Sequence, residues 1–298
     1  MHLRPLVALL PFALLAAACT EDKQLPPMAP PTAAAPLASS LPTADGGGIT
    51  TEGGPGDGGL VVAADAGPLP SAAEAIRAAV SAPDRDVADR ALDDGRHPAE
   101  LLTFFGIAPG MQVGELISGG GYTAELLARV VGPTGTVFAE NPPAVLDKFA
   151  AQPWNARLAK PIMNNVRNSD RNLDDPFPGD AKNLDAVLAI LVYHDAVAMK
   201  VDRAKMNKAI YASLKPGGIY GIVDHAARAG AGTSVVGSLH RIEQRVVVDE
   251  VTKAGFKLAA EGDFLKNPSD NHDWSTSPGA AGKKRGTSDR FVLKFVKE

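Results

Sequence analysis

Val113 to Leu127 reads VGELISGGGYTAELL: an apolar strand carrying one acid, a glycine run, then a helix with Tyr122, Leu126 and Leu127 on one face. Gly119, Gly120 and Gly121 allow a sharp backbone turn and let a ligand approach where a Cβ would collide. Glu115 stands inside the strand, where an acid calls for a cationic or hydroxyl-rich partner. Strand, glycine loop and helix in that order predict a site for a nucleotide-sized ligand.

Beyond the loop, strand and helix patterns alternate to the end of the chain, as in a parallel sheet covered on both faces. Thr136 to Ala139 reads as a second strand, Ala144 to Ala150 as a helix and Pro161 to Val166 as a third strand. Leu184 to Val192, LDAVLAILV, is the unbroken apolar run that a strand buried on both faces requires. Asp202 to Leu214 reads as a helix stopped by Pro216-Gly217-Gly218, and Ile219 to Val223 as the fifth strand. Leu239 to Ala254 reads as one long helix, and Phe256 to Ala259 and Phe291 to Phe295 close the sheet. Upstream, Ala72 to Val80, Asp84 to Leu92 and His97 to Phe105 read as helices, the last ending at the turn Ala108-Pro109-Gly110. The expected fold is α/β, a doubly wound, seven-stranded, mostly parallel sheet. The domain is set at 71–298, with helices over 71–108 and the core over 109–298.

In such a sheet, ligands bind beyond the carboxyl ends of the strands, and this chain places polar residues there. Glu140 and Asn141 follow strand two, Asp170 and Arg171 strand three, Tyr193, His194 and Asp195 strand four, and Asp224 and His225 strand five. No His-x-x-x-His or paired-cysteine spacing is present, so no metal site is expected.

The glycine run resembles the first motif of class I S-adenosylmethionine-dependent methyltransferases, an acid followed by G-x-G-x-G, with Glu115 as the acid. Ile117 stands where that family has its first glycine, which leaves Ser118 and Gly119 to Gly121 to form the turn. The Leu-Lys-Pro-Gly-Gly turn at Leu214 to Gly218 is a further likeness. The likeness spans roughly residues 85–298 and is nearest to a group of bacterial methyltransferase-like proteins. Those share the glycine loop, Asn-Pro-Pro at Asn141 to Pro143, Tyr-His-Asp at Tyr193 to Asp195 and GTSDRF at Gly286 to Phe291.

The resemblance implies a Rossmann-like core with the upstream helices packed over the cofactor as a cap. It implies S-adenosyl-L-methionine as cofactor, with Glu115, Ser118 and Gly119 to Gly121 around it. Either Glu140 or Asn141 would take the ribose, and Asp170, beside Arg171, the adenine amine. His194 is then the expected general base, Asp195 its orienting or substrate-binding partner and Tyr193 a wall of the methyl pocket; alternatively the three cap strand four and bind the following helix. The activity implied is methyl transfer to an unidentified acceptor.

Two rival readings stand beside it. Gly119 to Ala124 also satisfies G-x-G-x-x-A with Glu140 at the distance a dinucleotide enzyme needs, and Tyr211 and Lys215 have the Tyr-x-x-x-Lys spacing of short-chain dehydrogenases, an NAD(P)-dependent oxidoreductase. Against it stand Glu115 within strand one, the Asp170 segment, and Pro216, which stops the helix just after Lys215. The other rival is a catalytically inactive binding protein of the cell envelope, suggested by Ile117 and by the N-terminus.

That N-terminus reads as a lipoprotein signal peptide over residues 1–18. His2 and Arg4 precede an apolar stretch from Leu6 to Ala18, too short to span a bilayer, and Ala16, Ala17 and Ala18 stand before Cys19. Cys19 is the single cysteine, so it has no internal disulfide partner and is placed to take a lipid after cleavage. Thr20, rather than an aspartate, follows the cysteine, and by resemblance to sorted lipoproteins the expected destination is the periplasmic side of the outer membrane. S-adenosylmethionine is made in the cytoplasm, which is what gives the binding-protein reading its weight. Residues 19–70, rich in Pro, Ala, Gly and Thr, read as a disordered tether with a root-mean-square span of about 40 Å. Residues 81–298 hold 27 acids and 27 bases, so no basic excess favours nucleic acid, and the expected membrane contact is through the lipid alone.

Overall fold

The central β-sheet has the order β3-β2-β1-β4-β5-β7-β6. In the computed structural model, which describes residues 69–298, its strands are β1 (Gln112–Glu115), β2 (Thr136–Glu140), β3 (Val166–Ser169), β4 (Leu184–Ile190), β5 (Leu214–His225), β6 (Phe256–Gly262) and β7 (Arg290–Lys297). The signal, Cys19 and the tether through residue 68 lie outside the described residues. β1 to β5 pair in parallel, whereas β7 inserts antiparallel between β5 and β6. The usual dinucleotide-binding order is 3-2-1-4-5-6 in a mostly parallel sheet, and here an antiparallel β7 is inserted between β5 and β6. The seven-stranded, mostly parallel α/β architecture expected from the pattern is therefore present.

Two apolar layers cover the sheet. In β4, Val187 and Ala189 face one layer and Ala186 and Leu188 the other, which is why this strand reads as a continuous apolar run. One layer takes Met206 and Ile210 from helix Arg203–Ser213 and Val247 and Val251 from helix Gln244–Lys253. The opposite layer takes Leu126, Leu127 and Val130 from helix Tyr122–Val131, together with Ala75, Ile76 and Ala79 from helix Ala72–Ser81. Ser71 and Glu74 close a reciprocal capping box on that first helix. It is thus a member of the core layer beside helix Pro98–Phe105.

Several elements differ from the sequence expectation, each for a local reason. Asp84 to Leu92 is not one helix: it holds a single turn, Val87–Arg90, with a second, Asp93–Arg96, just after it, because Arg85 is drawn inward to the Val80 carbonyl and the Asp93 carboxylate. Helix Pro98–Phe105 ends at Gly106, which takes the left-handed conformation with φ 73° ahead of the expected turn. Pro161–Met163 is a 3-10 turn, and β3 starts only after Asn165 has donated to the carbonyls of Ala128 and Gly132. The Lys215 to Gly218 turn is absorbed into β5, where the register to β4 shifts between Leu184 and Ala186. Finally, the long helix expected over Leu239 to Ala254 is split into Val236–Leu239 and Gln244–Lys253. His240 turns left-handed at φ 50°, and Ile242 donates to the His225 carbonyl at the end of β5.

Candidate functional site

β1 lies between β2 and β4, so the loops after β1 and β4 depart in different directions and open a crevice at the carboxyl edge. Both strands end in strain: Ile117 has φ 48° and Leu191 φ 61°, conformations disfavoured for β-branched or bulky residues. Ile117 takes a backbone conformation that glycine adopts without strain. Its N–H donates to Glu140 Oε2 at 3.0 Å, and its side chain packs against the apolar layer opposite helix Tyr122–Val131.

The glycine loop is held from three sides. Asn141 is fully buried, its Oδ1 accepting from Gly119 N at 2.8 Å and its Nδ2 donating to Gly119 O at 3.3 Å. Arg157 Nε donates to Gly120 O at 2.7 Å. Gly121, at φ 84°, must be glycine twice over, since a Cβ there would stand 2.8 Å from the Trp154 ring.

Around this loop, Glu115 Oε2, Ser118 Oγ and Glu140 Oε1 are buried without a hydrogen-bond partner in the protein. Buried polar atoms are ordinarily paired, so three together describe a place prepared for ligand hydroxyl or amino donors. Burial pushes the Glu115 carboxyl up to about 7, opposed by the Ser118 and Thr123 hydroxyls beside it. Burial likewise raises Glu140 well above the carboxylate range, with Ile117 N–H opposing and the charges of Asp170 and Glu115 adding to the rise.

Beside the loop a narrow cavity is lined by Arg96, Tyr122, Thr123, Leu191, Val223 and Arg290, among others. Arg96 lies 4.3 Å over the Tyr122 ring. Burial lowers Arg290 to about 10, with the charge of Arg96 acting in the same direction. Neither arginine forms an ion pair among the described residues, and the rest of the lining is mostly apolar, with Leu101, Leu102, Leu126, Ile190 and Leu265.

Several expected roles change with these positions. Asn141 does not stand free for a ribose, because both polar atoms of its amide are committed to Gly119; of the two candidates only Glu140 retains an unpaired oxygen. Asp170 is exposed at the end of β3 near Glu140 and accepts from Asn168 Nδ2 at 2.8 Å. Arg171 bonds the carbonyl and carboxylate of Asp175 rather than facing the loop. Tyr193 is not a wall of the crevice: its ring is buried in the apolar layer of Met206 and Val247, and its hydroxyl bonds Glu250 at 2.8 Å and Asn207 at 2.9 Å.

His194 lies in the first turn of helix Tyr193–Ala198 and is buried. Its backbone N–H donates to Asp224 Oδ2 at 2.8 Å, and its Nδ1 meets Asp224 Oδ1 at 2.7 Å. The orienting carboxylate is therefore Asp224 of β5, while Asp195 faces the other ring nitrogen, Nε2, at 3.4 Å. Burial opposes charge on His194, yet the Asp224 charge and hydrogen bond, then Asp195, lift it to about 9. His240, half-exposed, sets its ring edge-to-face with His194 at 5.4 Å, its Nδ1 3.9 Å from Asp195 Oδ1. His194, Asp195 and His240 each bring one ligand atom within 4.8 Å of the others. Motif spacing missed this because His240 comes from a segment 45 residues downstream. His225 is kept neutral by burial, its value lowered to about 3, and pairs through Nδ1 with Ser288 Oγ.

The segment from Asn267 to Ser288 is pinned to the body of the domain. Asp270 forms a buried ion pair with Arg241 at 2.8 Å and accepts from Trp274 Nε1, and Thr276 Oγ1 donates to the His240 carbonyl at 2.6 Å. Arg241 is fully buried in this contact. The dehydrogenase pair also comes apart, because Tyr211 OH bonds the Glu298 carbonyl and Lys215 pairs with Asp185.

No protein-family model matches the chain, and no curated protein sequence matches it. Among solved structures it is similar to an S-adenosylmethionine-dependent methyltransferase from Mesorhizobium loti (14% identity, 69% of this chain and 100% of that one, TM-score 0.47). It is also similar to a TehB-like one from Corynebacterium glutamicum (13% identity, 74% and 92%, TM-score 0.42). The likeness that carries weight is to a SAM-dependent methyltransferase from Aquifex aeolicus, at 16% identity over 70% of this chain and 97% of that one, with a TM-score of 0.50. With the strand order above, it gives this chain the Rossmann-like fold of class I methyltransferases.

Proposed function

We propose that the chain is an S-adenosyl-L-methionine-dependent methyltransferase, held at the periplasmic face of the outer membrane by a lipid on Cys19 and acting on an acceptor still to be identified. The observation that carries this reading is the set of three unpartnered buried atoms, Glu115 Oε2, Ser118 Oγ and Glu140 Oε1, gathered at the glycine loop on the switch point of the sheet. The residues fit the cofactor's chemistry. Glu140 Oε1 suits a ribose hydroxyl, Glu115 and Ser118 suit the amino group of the methionine end, and Arg96 and Arg290 suit its carboxylate. Bound there, the cofactor supplies an electrophilic methyl group on a sulfonium.

The protein's part is then to hold the acceptor in line with that methyl group and keep water away. Leu191 and Val223 contribute to the cavity's apolar wall, and His194 and Asp195 just after β4, with His240 in the turn after helix Val236–Leu239, bring polar groups together. Ile117 leaves the loop usable, since its side chain turns to the core layer and its N–H steadies Glu140. The antiparallel β7 and the separated Tyr211 and Lys215 weigh against the oxidoreductase reading.

Calorimetric titration of the purified protein with S-adenosylmethionine and S-adenosylhomocysteine, with NAD as comparison, tests the reading. Micromolar binding of the methyl compounds that weakens at least roughly tenfold in Glu140→Gln is the expected result. Binding of NAD alone, or of none of the three, refutes it.

A further inference from the structure

We propose that His194, Asp195 and His240 form a binding site for a divalent first-row transition metal ion, with Asp224 as the carboxylate that orients His194 from behind. Two imidazole nitrogens and one carboxylate are the donors that zinc, iron or cobalt accept, whereas magnesium and calcium ask for oxygen throughout. The ligand atoms converge already. His194 Nε2 stands 3.4 Å from Asp195 Oδ1, and ligands about 2.0–2.1 Å from a tetrahedral ion lie about 3.3 Å from one another. His240 Nδ1 stands 3.9 Å from the same oxygen, and the three ligand atoms lie within 4.8 Å of one another, so His240 moves inward to complete the set.

The surroundings are those of a built site. A metal-bound histidine characteristically gives its second nitrogen to a carboxylate, which fixes the tautomer and aims the other nitrogen at the ion. His194 Nδ1 does this with Asp224 at 2.7 Å, and Asp224 also takes the His194 backbone N–H, so ring and main chain are fixed together. His240 is held from below: its left-handed backbone is anchored by Thr276 Oγ1 on its carbonyl at 2.6 Å and by Thr276 N on the carbonyl of Leu239 at 3.0 Å. Arg241, next in the chain, fixes the same turn to Asp270.

The exposure pattern gives the type of site. The His194 side chain is 5% exposed, whereas those of Asp195 and His240 are 36% and 35% exposed, so the third side of the cluster faces solvent. Three protein ligands with an open position are the arrangement of a metal that receives a further ligand, not of a closed structural site. Resting on the methyl-transfer reading, that ligand is an oxygen of the acceptor, and the acceptor class is one with a hydroxyl or carboxylate beside its methylation position.

The test uses the full chain, stripped with a chelator and titrated with zinc sulfate by calorimetry and with cobalt(II) by visible absorption. One equivalent should bind with micromolar or tighter affinity, and cobalt should show the d–d bands of a mixed nitrogen and oxygen site. His240→Asn, which keeps a residue tolerant of the left-handed backbone, and Asp195→Asn should each weaken zinc at least roughly tenfold, and Asp224→Asn by roughly 10- to 100-fold. His97→Asn, at an imidazole outside the cluster, should change nothing. Circular dichroism of each variant confirms folding. Absence of stoichiometric uptake, or uptake unchanged in folded His240→Asn and Asp195→Asn, overturns the site. S-adenosylmethionine titrations of the same samples separate the two proposals: cofactor binding without zinc uptake sinks the metal site alone, and zinc uptake without cofactor binding sinks the methyl-transfer reading alone.

Discussion

The amide of Asn141 spends both its polar atoms on Gly119, while the neighbouring Glu140 keeps one oxygen free in the same buried space. Asn141→Ala removes the clamp and strands a buried N–H and C=O of the loop, so a loss of about 1–3 kcal/mol is expected in urea unfolding, with weakened cofactor binding. Unchanged stability would mean that the loop holds its own shape. Gly121→Ala combines a φ of 84° with a Cβ 2.8 Å from Trp154, and should cost more than 1 kcal/mol while shifting the near-ultraviolet signal of that tryptophan. At this scale the sequence was partly legible. The acid, the loop and the residues after each strand could be read from their order. Which neighbour takes the ligand could not, because that depends on which side chain the folded loop has already engaged.

Helix Tyr122–Val131 is tied to its surroundings by one acid. Glu125, buried, bonds Arg129 one turn on, Arg157 at 2.6 Å and Lys160 at 2.8 Å. Burial opposes its charge, but Lys160, Arg129 and Arg157 together lower it to about 2 from an ordinary 4.5. A carboxylate with a depressed folded-state value stabilises fully above its unfolded value and progressively loses that effect below it. Stability should therefore fall as pH drops from about 4.5 towards 2, by on the order of 3 kcal/mol from this residue. Glu125→Gln should flatten that part of the curve; an unaltered acid limb in thermal unfolding would contradict it. The turn after helix Val236–Leu239 depends on a second ion pair. Arg241→Met leaves Asp270 buried without its partner, for which about 3–5 kcal/mol is expected, along with displacement of His240. Unfolding curves and zinc titration of that variant check both. Neither network was legible beforehand, since Arg241 and Asp270 lie 29 residues apart and Arg241 fits equally well on an exposed helix face.

Taken as a whole, the domain begins earlier than the strand pattern requires. Ala75, Ile76 and Ala79 are buried in the same layer as helix Tyr122–Val131, so a chain starting at residue 82 should be less stable than one starting at residue 69 by at least about 2 kcal/mol. Equal urea midpoints would show the first helix to be dispensable. Sequence alone determined the α/β class, the seven strands, the glycine loop and the order of polar residues along the carboxyl edge, because these follow from periodicity and chain direction, which are local. Only the tertiary structure decided that β7 runs antiparallel between β5 and β6, that Asp224 rather than Asp195 orients His194, and that His240 joins them. Those are meetings between segments distant in the chain. They are set by which strands pair and which turns a buried ion pair holds in place, and no local pattern records them.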